Sequence, residues 1–304
     1  MYEALFARQG LSLERLRSFL LVVDAGSITL AAPGDSIRQS QYSRQISELE
    51  EFLGHELFAR RGRTRALTPT GERLARVVRE ALNGIGDVHA EASGQRVTFA
   101  LGAGDSLLHG LVLPRLGQAL AKLAGVQVSV VSLAGRDILP RLDDGRLDFG
   151  ILRASVVPRG LASAELGAVE YALYAPRRLQ TKGLSAEELL ASAPLALQQS
   201  EPQLNQKLLD YARERGIALN LTLACETFPQ AVRAVQSGYY ASLLPTLARA
   251  ELAETDVVLV QPPGLAKTTT KIALAWQGRT VRVRPRAESV VEALAAALRI
   301  PRRR

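Results

Sequence analysis

The chain has one cysteine, Cys225, in 304 residues, no run of eighteen consecutive apolar residues, and no lysine in its first 92 positions. A lone cysteine excludes an intramolecular disulfide framework and fits a reducing compartment. The missing apolar run excludes an ordinary membrane-spanning helix, and residues 1–10, MYEALFARQG, lack the apolar stretch of a secretory leader. A cytoplasmic protein with no membrane partner is therefore expected. His55, His89 and His109 stand far apart, without ligand spacing to Cys225, so no metal site is expected. There is no Gly-Lys-Ser/Thr phosphate loop, and GAGDS lacks the third glycine of a dinucleotide fingerprint because Leu107 takes its place. Ser106 and His109 are one helical turn apart with no third orienting group. No catalytic residue and no cofactor are expected.

What is present is enough apolar content, 47%, to bury more than one core, and a length that suits about two domains. The net charge is +8, yet residues 1–92 balance twelve arginines against twelve acids, so the whole excess lies further on. Total charge therefore says little. Affinity for a polyanion comes from cations clustered at the contact surface.

The stretch RQSQYSRQISELEEFLG, residues 38–54, shows such local sorting. Tyr42, Ile46, Leu49 and Leu53 form the apolar stripe of a helix, while Ser40, Ser43, Arg44 and Ser47 occupy the opposite face and glutamate enters only at Glu48. Ahead of it, Ser12 caps a helix with Leu13, Leu16, Phe19, Leu20 and Val23 inward, and Ser27 or Thr29 caps a second, short helix. Two helices joined by a turn, the second with a donor-rich front, read as a helix-turn-helix that enters a DNA major groove. Gln39, Ser40, Ser43 and Arg44 are then placed to read base edges. LFARRGRTRALTPTG follows as a two-stranded wing, where Arg60, Arg61, Arg63 and Arg65 are placed to meet phosphates or a minor groove, with Thr68 and Pro69 opening the next helix. A solvated helix and a solvated basic turn are the plain alternatives.

In that next helix Leu74, Val78, Ala81, Ile85 and Val88 follow a heptad-like spacing, which predicts pairing with a second copy, weakened near Gly84 and Gly86. After Gln95 the texture changes to alternating strands and helices, predicting βαβ units and a mostly parallel sheet.

Taken together, LRSFLLVVDAGSITLAA, Gln39 with SRQISELEEFLGHELFAR, and LTPTG resemble the LysR-type transcriptional regulators, with looser collinear matches at LVLPRL, LDDGRLDFGI, LACET and LLP. The resemblance covers the chain from about Leu13. It implies an α+β multidomain protein: a winged helix-turn-helix at 1–68, a linker and dimerisation helix at 69–92, and an effector-binding domain at 93–304. That last part is expected to be a two-lobed α/β, periplasmic-binding-protein-like (type 2) module, with lobe I near 93–172 and 273–304, lobe II near 173–272, and two crossover strands. The implied partners are double-stranded promoter DNA, a small-molecule effector, and further copies forming a homodimer through the linker helix and a homotetramer.

The chain departs from the family pattern at PGDSIRQ, where Pro33 and Gly34 interrupt the second helix, Asp35 replaces a leucine, and Arg38 stands at a serine position as an added phosphate contact. Gly238-Tyr239-Tyr240 replaces a Gly-x-Gly. For the effector, helix starts that follow strands point to Ser106, to Gly135 and Arg136, and to Thr227, and Arg153 after FGIL is placed to pair with a carboxylate. Each also reads as an ordinary cap or solvated arginine. A small organic anion or polar metabolite is expected, with Asp105 beside Ser106 counting against the most highly charged anions. The rival reading is a cytoplasmic solute-binding or small-molecule enzyme domain whose N-terminal helices only dimerise; another is a DNA-binding architectural protein with no effector.

Overall fold

The computed structural model describes residues 3, 10–61, 64–180, 184–265 and 269–301; of Arg60, Arg61, Thr64 and Arg65 it describes the backbone alone. It divides into two compact units, Met1–Ser93 with Asp143–Arg146, and Gly94–Leu142 with Leu147–Arg304.

The first unit begins with α1 (Leu13–Ala25), where the Ser12 hydroxyl accepts from the Arg15 amide at 3.2 Å and Gly26 ends the helix at φ 81°. Ser27 caps α2 (Ile28–Ala31), which stops before Pro33 as the sequence predicts. Gly34 turns the chain at φ 75°, and Asp35 accepts from the Arg38 amide at 2.9 Å to start α3 (Ser36–Leu53). The departure from leucine to aspartate thus supplies a helix cap. The core joins Phe19, Leu49, Leu57 and Ala75, with Phe58 edge-on to Phe19 at 5.8 Å. The wing pairs β1 (Phe58–Arg61) antiparallel with β2 (Thr64–Leu67). Thr68 and Pro69 then open α4 (Pro69–Ala92). Its buried face holds Ala75 and Val78, and the nearly buried Arg79 pairs with Asp24 at the end of α1. This corrects the heptad in its first half: Val78 faces inward, and Val77, Ile85 and Val88 are the large apolar residues left exposed.

In the second unit β3 (Val97–Ala103) lies between β4 (Val126–Ser132) and β5 (Phe149–Arg153), both parallel to it. A helical run from Asp105 leads into α5 (Leu113–Leu120) through a π-helical stretch, Leu108–Val112, where the Leu113 amide reaches the Leu108 carbonyl. The wide turn accommodates Pro114, which has no N–H to offer the ladder. Helix α6 (Gly135–Asp143) packs Ile138 and Leu142 into the lobe I core with Leu147, Leu152 and Ala275.

The long strand β6 (Ala162–Pro176) serves both lobes. Its first part pairs with β11 (Thr269–Trp276), and its last part lies between β9 (Ser242–Pro245) and β10 (Val257–Val260). These pairings are all antiparallel, as is β11 with β5, so the sheet is mixed rather than mostly parallel. Chains crossing between lobes must run back against the strands they join. Lobe II is completed by α7 (Ala186–Ser192), β7 (Leu195–Gln198), α8 (Pro202–Arg215), β8 (Leu221–Cys225) and α9 (Phe228–Gln236), with β7 and β8 parallel. The chain closes with α10 (Gly278–Val283) and α11 (Ala287–Ala297). Between β11 and α11, buried Arg284 pairs with Asp148 at 2.7 Å and lies over the Phe99 ring at 4.0 Å.

Gly71, in the first turn of α4, has no room for a side chain: a Cβ there would lie 2.3 Å from the Leu57 carbonyl oxygen. Gly71→Ala is expected to destabilise the first unit by about 1–3 kcal/mol. Amide hydrogen exchange in α1 and α3 should speed up accordingly, and unchanged exchange would contradict this packing.

Candidate functional site

Two surfaces concentrate chemistry, one in each unit. On α3, Ser40, Ser43, Arg44 and Ser47 are all exposed, as the sequence predicts, and the first acid on the helix is Glu48. Glu48 is held by Arg15 at 2.6 Å and by Arg44 at 2.9 Å, and these two guanidinium groups, Arg44 first, keep its carboxyl below the usual range. Glu50 turns the other way and accepts from the Leu57 amide at 2.8 Å and the Phe58 amide at 3.2 Å, tying helix to wing. Arg44 remains 81% exposed despite its bond to Glu48. Arg38 is exposed beside Asp35 at 3.3 Å. Gln39 is half-buried and donates one amide hydrogen to the Ala32 carbonyl at 2.8 Å, so it locks the turn as well as facing outward.

Sequence reasoning passed over Ile37, which is 81% exposed. It shares a face with Ser40 and Arg44 at i, i+3 and i+7, and that spacing opposite the apolar stripe was the available signal. Of the wing arginines, Arg63 lies outside the described residues, as do the side chains of Arg60, Arg61 and Arg65.

The second surface is the junction of the lobes, where three sequence-predicted positions come together. Ser106, 2% exposed, accepts from the Gln198 amide nitrogen at 2.7 Å. The same hydroxyl lies close enough to the Glu201 carboxyl to favour its ionised form. Both hydrogens of the Gln198 amide are taken, the second by Ser200 at 2.6 Å, and its oxygen is buried without a partner. An orphaned acceptor of this kind costs about 1–3 kcal/mol. Arg153, at the end of β5, donates to Gln203 at the start of α8. Thr227 caps α9 within a capping box, and the next amide, that of Phe228, donates to Asp105. The positive end of α9 is thus filled by a carboxylate of the chain itself. His109 stands 3.5 Å from the same Asp105. Tyr171 on β6 lies within the field of Glu201 and Arg153; burial first, then the Glu201 charge, push its phenol up to about 12.

Gly135 and Arg136 are both exposed at the start of α6, with Arg136 3.9 Å from Asp137. A groove of about 540 Å³ between α8 and β8, lined by Leu197, Leu209, Leu221 and Leu223 among others, carries no ionisable side chain. Missed from sequence were Gln198, Glu201 and Tyr171. The run QQSE directly after β7 was the signal, because strand carboxyl ends are where open α/β sheets gather ligands.

Burial, reinforced by the charge of Asp105 and opposed by Ser106 and Arg153, holds the Glu201 carboxyl above its ordinary 4.5. Across the window between that value and the raised one, the folded chain binds more protons than the unfolded chain, so stability falls as pH rises through it. Glu201→Gln should flatten this fall. The urea midpoint followed by fluorescence of Trp276, the single tryptophan, checks it; an unchanged slope with pH would contradict the placement of Glu201.

Residues 13–72 match the bacterial regulatory helix-turn-helix proteins of the lysR family, and residues 92–299 match the LysR substrate binding domain. The chain is 27% identical over 274 residues to a probable nitrogen assimilation transcriptional activator of Synechococcus elongatus, a match covering 86% of this chain and 87% of the relative. It is 30% identical over 278 residues to the transcriptional regulator TrpI of Pseudomonas aeruginosa, covering 86% and 90%. The fold matches that of full-length CbnR complexed with its target DNA, with a TM-score of 0.55 at 19% identity over 93% of this chain and 100% of that one. Among the described residues no helix is long and apolar enough to cross a membrane. The chain belongs to the LysR family: it is a transcriptional regulator with a DNA-binding helix-turn-helix followed by a two-lobed α/β effector-binding domain.

Proposed function

We propose that α3 lies in the DNA major groove, with Gln39, Ser40, Ser43 and Arg44 reading base edges and Ile37 covering a thymine methyl group. Arg38 and the wing residues Arg60, Arg61, Arg63 and Arg65 hold phosphates or a minor groove and set the register. One observation carries this reading: the exposed row Ile37, Ser40, Ser43, Arg44 and Ser47 offers donors and one apolar contact, with no acid before Glu48. A solvated helix face would mix glutamate with lysine for mutual support.

The exposed Val77, Ile85 and Val88 on α4 favour pairing with a second copy through this helix, and two such dimers make the homotetramer of the family pattern. The effector sits at the lobe junction, around Ser106, Arg153 and Thr227, with Gly135 and Arg136 at the start of α6 as further candidates. The family match supports a cytoplasmic regulator in place of an enzyme.

Selection of binding sequences from a random DNA pool tests the reading. Arg44→Ala should relax preference at one position, at a cost of about 1–3 kcal/mol on the best site. Arg63→Ala should weaken all sequences alike and lower the salt slope by about one. An Arg44→Ala protein with unchanged preference and salt dependence would remove α3 from the groove.

A further inference from the structure

The lobe junction is rich in acceptors and short of donors. Gln198 keeps a buried, unpartnered carbonyl oxygen there, 1% of its residue surface being exposed. Both of its amide hydrogens are engaged by Ser106 and Ser200. Around it stand two carboxylates. Glu201 lies within the influence of the Ser106 hydroxyl and of the Asp105 charge, Asp105 being one residue before Ser106. The amides at the start of α9, the natural place for an anionic ligand, already serve Asp105 through Phe228. Facing them are the Arg153 guanidinium, exposed at the rim and bonded to Gln203, and the His109 imidazole beside Asp105. An anion entering here would meet Asp105 and Glu201 with one free-standing guanidinium to offset them. A group that donates hydrogen bonds and carries positive charge would satisfy the orphaned oxygen and the Glu201 carboxylate at once.

We propose that the effector is a small amino-acid-like zwitterion whose ammonium group binds Gln198 Oε1 and the Glu201 carboxylate, while its carboxylate pairs with Arg153. This rests on reading the junction as the effector site. It narrows the sequence-based expectation of a small organic anion or polar metabolite, which considered helix amino termini one at a time and did not place the second carboxylate.

The test uses the full-length protein and a panel of the twenty proteinogenic L-amino acids, followed for each binder by its α-hydroxy acid, in which hydroxyl replaces the amine, and by succinate. Thermal shift finds binders and calorimetry measures them. At least one amino acid is expected to bind, its hydroxy acid at least tenfold more weakly, and Glu201→Gln to lose at least tenfold in affinity for the amino acid. Gln198→Met, of similar volume and without the carbonyl, is the second variant should Glu201→Gln fail to fold, and the same loss is expected. The proposal is overturned if no panel member binds, if the hydroxy acid or succinate binds as well as any amino acid, or if the variants keep full affinity. In those last two cases Ser106→Ala separates the causes: a ligand lost in that variant leaves the junction as effector site with the wrong chemistry assigned, and a ligand indifferent to it moves the site elsewhere.

Discussion

Strand β6 is one continuous element with two sets of neighbours. Its fifteen residues pair first with β11 and then with β9 and β10, so the same backbone belongs to the cores of both lobes. A strand satisfies its N–H and C=O groups only while its neighbours stay in register, and breaking that ladder strands buried polar groups. The lobes are therefore joined by a rigid seam. Tyr171 marks where one set of neighbours gives way to the next, and it is the residue whose phenol feels both Glu201 and Arg153. The polar junction exists because this seam brings the ends of β5 and β7 to one place.

In the first unit the governing economy is how acids are disposed. Half the charged residues there are acidic, yet the front of α3 is free of them. Glu48 is occupied by Arg15 and Arg44, Glu50 by two wing amides, and Glu14 by Gln41 and Gln45 at 3.3 and 3.2 Å. Each of these three acids is tied to a structural partner. The field in front of the helix is left to serine hydroxyls, Arg38 and Arg44, which a net charge summed over the unit does not reveal.

How far the residues alone lead depends on whether a feature is local. Ser12, Ser27, Thr68 and Thr227 cap helices as their positions predict, because a cap involves only the next three residues. The break at Pro33 and the serine-arginine face of α3 were readable for the same reason. The mixed sheet was not, since alternation of strands and helices carries no record of which strand turns back. Val78 and Val77 exchanged roles because α4 answers to α1 and the wing along its first turns, and a heptad count ignores them. At the junction, Ser106 was found from its own neighbourhood, but Gln198 and Glu201 lie more than ninety residues away and acquire meaning only when the lobes meet.

The hydrogen bond from Phe228 to Asp105, with those from Gln198 to Ser106 and from Arg153 to Gln203, has a consequence for energetics. The lobes already hold one another through polar contacts, so an arriving ligand exchanges partners instead of drawing together surfaces that were wet. Association of that kind buries little fresh apolar area, and its heat-capacity change should be small. Signal in such a molecule would come from a reshuffled set of bonds across a nearly constant outline.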